Sequence, residues 1–332
     1  MSSTIFEPSD PSLEPTSGPA HRPRPPLDRE LSHANARASR GPDAQRRGPS
    51  NLGRVARRYW KNRVARVALM VLIAIVIFVV AADVVAAWTG YRVDQGDIRN
   101  PLLPPLSDGH LLGTDVNGRD VLVRLAYGGR TSLLVAGVAA ATTLCIGGLV
   151  GSVAGYAGGP IDAVLMRVVD VLMCLPGLSL LILVSVLYQP GKYGLAILLA
   201  ALGWTGLARL VRAEVMSLRY RDYVLAARLL GGTDAHILRR HVLPNVLPTM
   251  IVWTSLAIPG LILTEAALSF LGFGVEIPTP SWGNMLEQAK DFYTESWLNV
   301  FIPGLAIYVT VLAINLVGSG LRDAIDPRLI DE

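Results

Sequence analysis

Ionisable side chains inside the long apolar segments are the first candidates for chemistry, because a charge buried there is costly and usually serves a function. Glu265 lies within the segment LILTEAALSFL, and Arg167 and Asp170 stand three residues apart, on one face of a helix. A lone buried carboxylate can relay protons, or it can accept hydrogen bonds from a facing helix or from broken backbone. Arg167 and Asp170 are expected to form an interfacial ion pair that tethers helices.

The sequence motifs of several enzyme classes are missing. There is no G-x-x-x-x-G-K-[ST] phosphate loop, since the only Gly-Lys pair, Gly191–Lys192, is followed by Tyr193. Neither H-E-x-x-H nor G-x-S-x-G occurs. Asp115-x-Asn117 begins like a calcium loop, but Arg119 and Ala126 stand at ligand positions of that loop and do not fit it. The sequence therefore favours a non-catalytic chain without a metal or cofactor of its own.

Composition places the chain in a membrane. Apolar residues make up 51% of the 332 residues and charged residues only 17%, below the roughly 25% usual for soluble domains. The excess lies in six nearly uncharged segments of about 20 residues, the length that crosses a bilayer. They are residues 67–88, 132–156, 168–188, 194–211, 247–271 and 298–318. We therefore predict an all-α, polytopic membrane protein with six transmembrane helices, in which Cys145 and Cys174 are packing residues.

The distribution of basic residues predicts the orientation. Six spans place both termini on one side of the membrane, and that side carries 23 of the 30 Lys and Arg residues. Because basic residues are enriched in cytoplasmic loops, both termini are expected to be cytoplasmic.

The segments outside the spans differ in character. Residues 1–52 are rich in proline and arginine and predict a disordered cytoplasmic tail. Residues 53–66 form a basic interfacial lead-in, with Tyr59 and Trp60 as headgroup anchors. Residues 67–325 would form the transmembrane domain, with extracytoplasmic loops 90–130 and 272–297, and residues 326–332 a cytoplasmic tail. In the second loop, Pro278, Pro280 and Trp282 favour an ordered re-entrant or surface platform over a plain connector.

The cytoplasmic loop 212–245 carries a helix–glycine–helix pattern. Residues 223–230 favour a helix that ends at Gly231-Gly232. Thr233 or Asp234 can cap a second short helix, 235–241, which Pro244 would terminate. Two interpretations remain open on physical grounds: a docking surface for an acidic protein partner, or an amphipathic loop on anionic headgroups.

The docking interpretation rests on small and basic side chains in that loop. Ala226, Ala227 and Gly231 would form a low-relief patch that a partner can approach closely, and Arg228, Arg239 and Arg240 would surround it with positive charge.

This loop resembles the EAA loop of ABC-importer permeases, whose pattern is E-A-A-x-x-x-G followed by I-x-L-P. The matching residues are Leu225-Ala226-Ala227, Gly231 and His241-Val242-Leu243-Pro244. Residues 110–133, 268–286 and 321–329 (LRDAIDPRL) resemble the dipeptide/oligopeptide/nickel branch, and within it the second permease subunit. Leu225 departs from the pattern, because it replaces the glutamate that would form an ion pair with the ATPase.

The resemblance implies a type I importer permease with one peripheral helix and a five-helix core. Its partners would be a homologous second permease subunit, two cytoplasmic ATPase subunits that bind ATP and Mg, an extracytoplasmic substrate-binding protein and membrane lipids, with no nucleic acid. The residues implied in ATPase coupling are Tyr223, Leu225, Ala226, Ala227, Arg228, Gly231, Gly232, Asp234 and Pro244.

The expected solute is a short peptide, with nickel, glutathione or a sugar as other members of the branch. The spans contain no histidine, which disfavours a nickel path. The main alternative is a self-sufficient secondary transporter or channel that uses Glu265, and a scaffold or sensor without transport is a third.

Overall fold

The computed structural model describes residues 51–325, which form a series of helices joined by loops. The predictions for residues 1–50 and 326–332, including the end of the LRDAIDPRL stretch, lie outside the described residues. The helices are α1 (Asn51–Lys61), α2 (Arg63–Val80), α3 (Ala82–Thr89), α4 (Val121–Ala157), α5 (Gly159–Cys174), α6 (Gly177–Tyr188), α7 (Lys192–Leu218), α8 (Asp222–Leu229), α9 (Asp234–Ile237), a π-helix (Leu238–Val242), α10 (Leu243–Phe270), α11 (Trp282–Ala289), a 3₁₀ turn (Lys290–Phe292) and α12 (Leu298–Ile325).

Five helical segments of the described chain are long and apolar enough to cross a membrane: α2, α4, α7, the run from α9 through α10, and α12. The pair α5 and α6 passes the same test together, although the two helices are bent by 83°. An all-helical, polytopic fold with up to six spans is therefore confirmed.

Small residues on α4 allow it to pack closely against α7, and their contacts show the relative direction of the two helices. A Cβ added at Gly147 would lie 2.8 Å from the Trp204 carbonyl oxygen, and one added at Gly155 would lie 2.7 Å from that of Arg212. The contact positions rise together along the two helices, so α4 and α7 run parallel. The α5–α6 pair must therefore return the chain across the bundle, which makes it a sixth crossing.

We expect Gly151→Ala to destabilise this interface by about 1–3 kcal/mol, because overpacking forces backbone shifts. The new Cβ would lie 2.5 Å from the Ala208 carbonyl oxygen, a contact that no side-chain rotation relieves. The midpoint of thermal unfolding in detergent measures the effect. Gly137→Ala is the matched control, since nothing lies within 4 Å of its Cβ. Equal midpoints for both variants would contradict the close α4–α7 packing.

The third span, predicted as one helix over residues 168–188, is the largest difference between expectation and structure. α5 already begins at Gly159, and the helix breaks at Leu175, whose φ and ψ of −78° and 140° are extended. Pro176 explains the break, because a proline disfavours helical backbone at the residue before it and has no N–H to donate.

Other spans differ in length. The second starts at Val121 rather than residue 132, with the Asp120 side chain accepting a hydrogen bond from the Val123 N–H at the helix start. The fourth continues to Leu218, so that part of the predicted loop 212–245 belongs to α7. The first breaks at Ala81 into α2 and α3.

The lead-in is helical and packs partly against protein. α1 and the start of α2 cover residues 53–66. Trp60 is exposed, as an anchor would be, but the Tyr59 hydroxyl donates to the Ala65 carbonyl at 3.2 Å and Tyr59 lies against Gly320 of α12. The contact of Tyr59 with Gly320 and the packing of α2 on α12 together hold α2 at one side of the bundle.

The two ends of the bundle carry different segments of the chain, and each end is named here after one short helix. The α8 end carries α8, α9 and the turn between α4 and α5. The α11 end carries residues 90–120 and residues 271–297, including α11.

Candidate functional site

Two short helices at the α8 end form the helix–glycine–helix element that the sequence predicts. α8 ends at Leu229 with Leu230 as its C-cap, and Gly231 follows with a φ of +83°, a conformation that favours glycine. At Gly232 the constraint is steric, because an added Cβ would lie 2.8 Å from the Ala227 carbonyl oxygen. Thr233, rather than Asp234, caps α9 by accepting from the His236 N–H. The two glycines therefore fix the angle between the helices.

Buried aliphatic side chains join this element to the membrane helices. Val224 of α8, Ile237 of α9 and Val242 of the π-helix are fully buried. They pack in one cluster with Leu207, Val211 and Val215 of α7 and with Val246 and Met250 of α10. A force on α8 or α9 would therefore be transmitted directly to α7 and α10.

Tyr156 connects both short helices to the end of α4. Its hydroxyl donates to Asp234 Oδ1 at 2.9 Å and accepts from Arg228 Nη2 at 3.1 Å. Arg228 Nη2 also lies 3.7 Å from Asp234 Oδ1. The hydrogen bond with Tyr156 raises the pKa of Arg228 above its ordinary value, and an arginine is in any case charged at every physiological pH.

We expect Tyr156→Phe to loosen this connection without unfolding the chain. The two hydrogen bonds are exposed, so their loss should cost about 0.5–1 kcal/mol, or about a two- to fivefold rise in local opening. Amide hydrogen exchange of residues 222–237 measures it. Tyr223→Phe is the matched control, because Tyr223 is an exposed tyrosine of α8 whose hydroxyl makes no hydrogen bond within residues 51–325; equal exchange in both variants would contradict the role of Tyr156.

The exposed face of the element carries large apolar side chains, with Arg228, Arg239 and Arg240 exposed beside them as predicted. Leu229 and Leu230 are each 89% exposed, and Tyr223 and Leu225 are also exposed. Ala226 and Gly231 are accessible, as the predicted low-relief patch requires, whereas Ala227 is half-buried and packs on the cluster beneath. The expectation that Ala227 is part of an open patch is therefore wrong, and the leucines contribute most of the exposed apolar surface.

Pro244 does not terminate the second helix, contrary to the expectation. α9 passes through the π-helix into α10 without a break, and Pro244 lies at the first turn of α10. The Leu243 N–H donates to the Leu238 carbonyl, and the Asn245 side chain donates to the His241 carbonyl. These bonds satisfy carbonyls around the proline, so the helix tolerates it.

The predicted ion pair between Arg167 and Asp170 does not form. Asp170 accepts instead from Arg209 Nη2 at 2.6 Å, and Asp162 is bound by Arg212. Within residues 51–325, Arg167 is exposed and makes no ion pair. Both observed pairs link α5 to α7, so Asp170 does tether helices, but it does so between two helices rather than along one.

Glu265 lies in a cage of serine hydroxyls. Its side chain is fully buried, and Ser269 donates to Oε1 at 2.8 Å. The hydroxyls of Ser132 and Ser281 lie beside the same carboxyl, so that α4, α10 and the start of α11 meet at this residue. Of the two roles considered for it, hydrogen bonding to neighbouring elements fits this arrangement.

Residues 272–289, which include α11, form an ordered platform. The Ser132 hydroxyl accepts from the Trp282 N–H at 3.2 Å, and the Trp282 indole donates to the Leu125 carbonyl at 3.0 Å. Ser281 and Asn284 form a reciprocal capping box at the start of α11. The segment therefore packs back into the bundle and is not a plain connector.

Sequence reasoning missed Tyr156 and the serine cage. A tyrosine at the carboxyl end of an apolar helix is a signal for a polar contact. The cage had no local signal, because Ser132, Ser269 and Ser281 come from three separate segments.

The comparison with known families decides the identity. Residues 147–331 match the family described as binding-protein-dependent transport system inner membrane component. The chain belongs to this family of ABC permeases. Residues 50–105 match a second family, the N-terminal transmembrane domain of oligopeptide transport permease C, which indicates the second permease subunit. The permease is a multi-pass inner-membrane component and a non-catalytic subunit without a cofactor.

Curated relatives cover most of this permease. It is 38% identical to the dipeptide transport system permease protein DppC of Bacillus subtilis (strain 168), over 82% of this chain and 84% of the relative. It is 37% identical to the oligopeptide transport system permease protein OppC of Haemophilus influenzae, over 88% and 93%. OppC of Bacillus subtilis is 36% identical over 82% and 88%.

Proposed function

We propose that this permease is one half of the translocation pathway of an ATP-driven importer for short peptides. The peptide class is supported by relatives whose names specify dipeptide and oligopeptide transport. Family membership already argues against the alternative of a self-sufficient transporter that uses Glu265.

The partners are a homologous second permease subunit, two ATPase subunits that bind ATP and Mg, and an extracytoplasmic binding protein. The observation that carries the coupling role is the pair of exposed leucines, Leu229 and Leu230, on a helix whose opposite face is built into α7 and α10. An exposed apolar surface on a rigid support is suited to seating in an ATPase groove. Tyr223, Leu225, Ala226, Arg228, Gly231, Gly232 and Asp234 form or support this surface, while Ala227 and Pro244 contribute through packing and helix geometry.

The α8 end is then cytoplasmic and the α11 end extracytoplasmic, with both termini on the cytoplasmic side. The excess of basic residues in the segments on the α8 side supports this orientation. Closure of the ATPase dimer would draw the coupling helices together and tilt α7 and α10, which converts an inward-facing pathway into an outward-facing one.

Uptake into proteoliposomes that contain the complete transporter tests the proposal. Dipeptides, longer peptides and nickel are offered in turn, each with and without ATP. ATP-dependent accumulation of peptides is the expected result. Accumulation of nickel alone would overturn the peptide assignment, and accumulation without ATP would overturn the ATP-driven mechanism.

A further inference from the structure

A cavity of about 540 Å³ at the α11 end lies between the carboxyl end of α6 and the platform. Its volume is within the range of about 300–1,000 Å³ typical of small-molecule sites. Polar groups from both walls line it: Ser185, Gln189, Ser269, Glu276, Asn284 and Glu287.

Ser185 is an unpartnered donor and acceptor in the wall of this cavity. The residue is only 3% exposed, and its hydroxyl makes no hydrogen bond within residues 51–325. An unpaired buried hydroxyl destabilises the fold, so a ligand that bonds to it regains that free energy.

The charged side chains that line the cavity are all acidic. Glu276 and Glu287 both border it, and no lysine or arginine does. Glu276 makes no ion pair in the described part of the chain, and Glu287 pairs only with Lys290, a half-exposed contact of 3.4 Å one helical turn away. The negative charge is therefore available to a cation.

Two other polar residues of the wall already make hydrogen bonds within the chain, and these bonds fix the shape of the cavity. Asn284 donates to the carbonyls of Val275 and Thr279 and accepts from the Ser281 N–H. Ser269 Oγ donates a hydrogen bond to Glu265, and it accepts one from the Val275 N–H with an N···O distance of 3.4 Å. The wall that carries Glu276 is thereby anchored to the buried Glu265.

We propose that this cavity binds the ammonium end of the transported solute, which for a peptide is its free amino terminus. This inference rests on the proposed function and deepens it. An ammonium group has three donors and no acceptor, which matches carboxylates and a serine oxygen. Bonds to the carboxylates that border the cavity, Glu276 and Glu287, would be charge-assisted, and Ser185 Oγ is a further acceptor in its wall.

The test is a comparison of the tripeptide Ala-Ala-Ala with its N-acetyl form in proteoliposomes of the complete transporter. The binding protein is kept unchanged, so any preference that it contributes is common to all variants. Glu276→Gln and Ser185→Ala should lower the ratio of free to acetylated peptide uptake by about tenfold for the carboxylate and about threefold for the serine. Glu295→Gln is the matched control, because Glu295 lies in the same loop but does not line the cavity.

The outcomes separate this inference from the proposed function. If wild-type uptake of Ala-Ala-Ala is ATP-dependent but Glu276→Gln behaves like Glu295→Gln, the ammonium site is wrong and the importer stands. If the wild type accumulates neither peptide, the proposed function fails and the inference fails with it. If Glu276→Gln leaves the uptake ratio intact but weakens docking of the peptide-loaded binding protein, the cavity receives that protein and the inference is overturned.

Discussion

Replacing Leu229 and Leu230 together with aspartate should lower ATP-driven uptake at least tenfold while the chain still inserts into the membrane. Both side chains are 89% exposed, so their replacement removes no packing within the chain. Burial of a leucine in a partner's groove contributes about 1.5–3 kcal/mol, so the double variant should lose most of its affinity for the ATPase. Uptake and co-purification of the ATPase subunits are measured in parallel.

The matched control is Ile98→Asp. Ile98 is 84% exposed and lies in the loop at the opposite end of the bundle, so it carries the same change of chemistry away from the coupling surface. Loss of uptake in the control but not in the leucine variant would reverse the assignment of the two ends.

Replacing Glu265 with alanine should destabilise the permease by about 3–5 kcal/mol, because it removes a buried acceptor and leaves a cavity. Ser269 would lose its hydrogen-bond acceptor, Ser132 and Ser281 would lose the carboxyl beside them, and the platform would loosen around Ser281. The midpoint of thermal unfolding, together with hydrogen exchange of residues 272–289, measures the effect.

Glu265→Gln separates the hydrogen-bonding role from proton relay. Glutamine keeps the shape and one oxygen acceptor but cannot carry a proton, so ATP-driven uptake should persist and be independent of the proton gradient. A folded Glu265→Gln variant that loses gradient-driven uptake would establish the relay instead.

The sequence predicted the helical class and the number of crossings well, because apolar length is a local property that the bilayer imposes. It predicted the turn at Gly231-Gly232 for the same reason, since glycine at a positive φ acts locally. It failed at Pro244, where a π-turn that no residue pattern signals carries the helix past the proline.

Contacts between distant segments were beyond local reasoning. Asp170 was assigned to Arg167, its neighbour on the same helix, yet it pairs with Arg209 of α7. The choice between the two arginines depends on the packing of α5 against α7. The cavity beside Ser185 likewise exists only because α6 and the platform meet.

The most direct test of the central claim is a cross-link between the α8 end and the ATPase. Cys145 and Cys174 are first replaced with serine, since both are exposed, and Leu230→Cys or Ile98→Cys is then introduced into the complete transporter. We expect a cross-link to the ATPase from position 230, more efficient when ATP is bound, and none from position 98. A cross-link to the ATPase from position 98, or none from position 230 in an active transporter, would contradict the central claim.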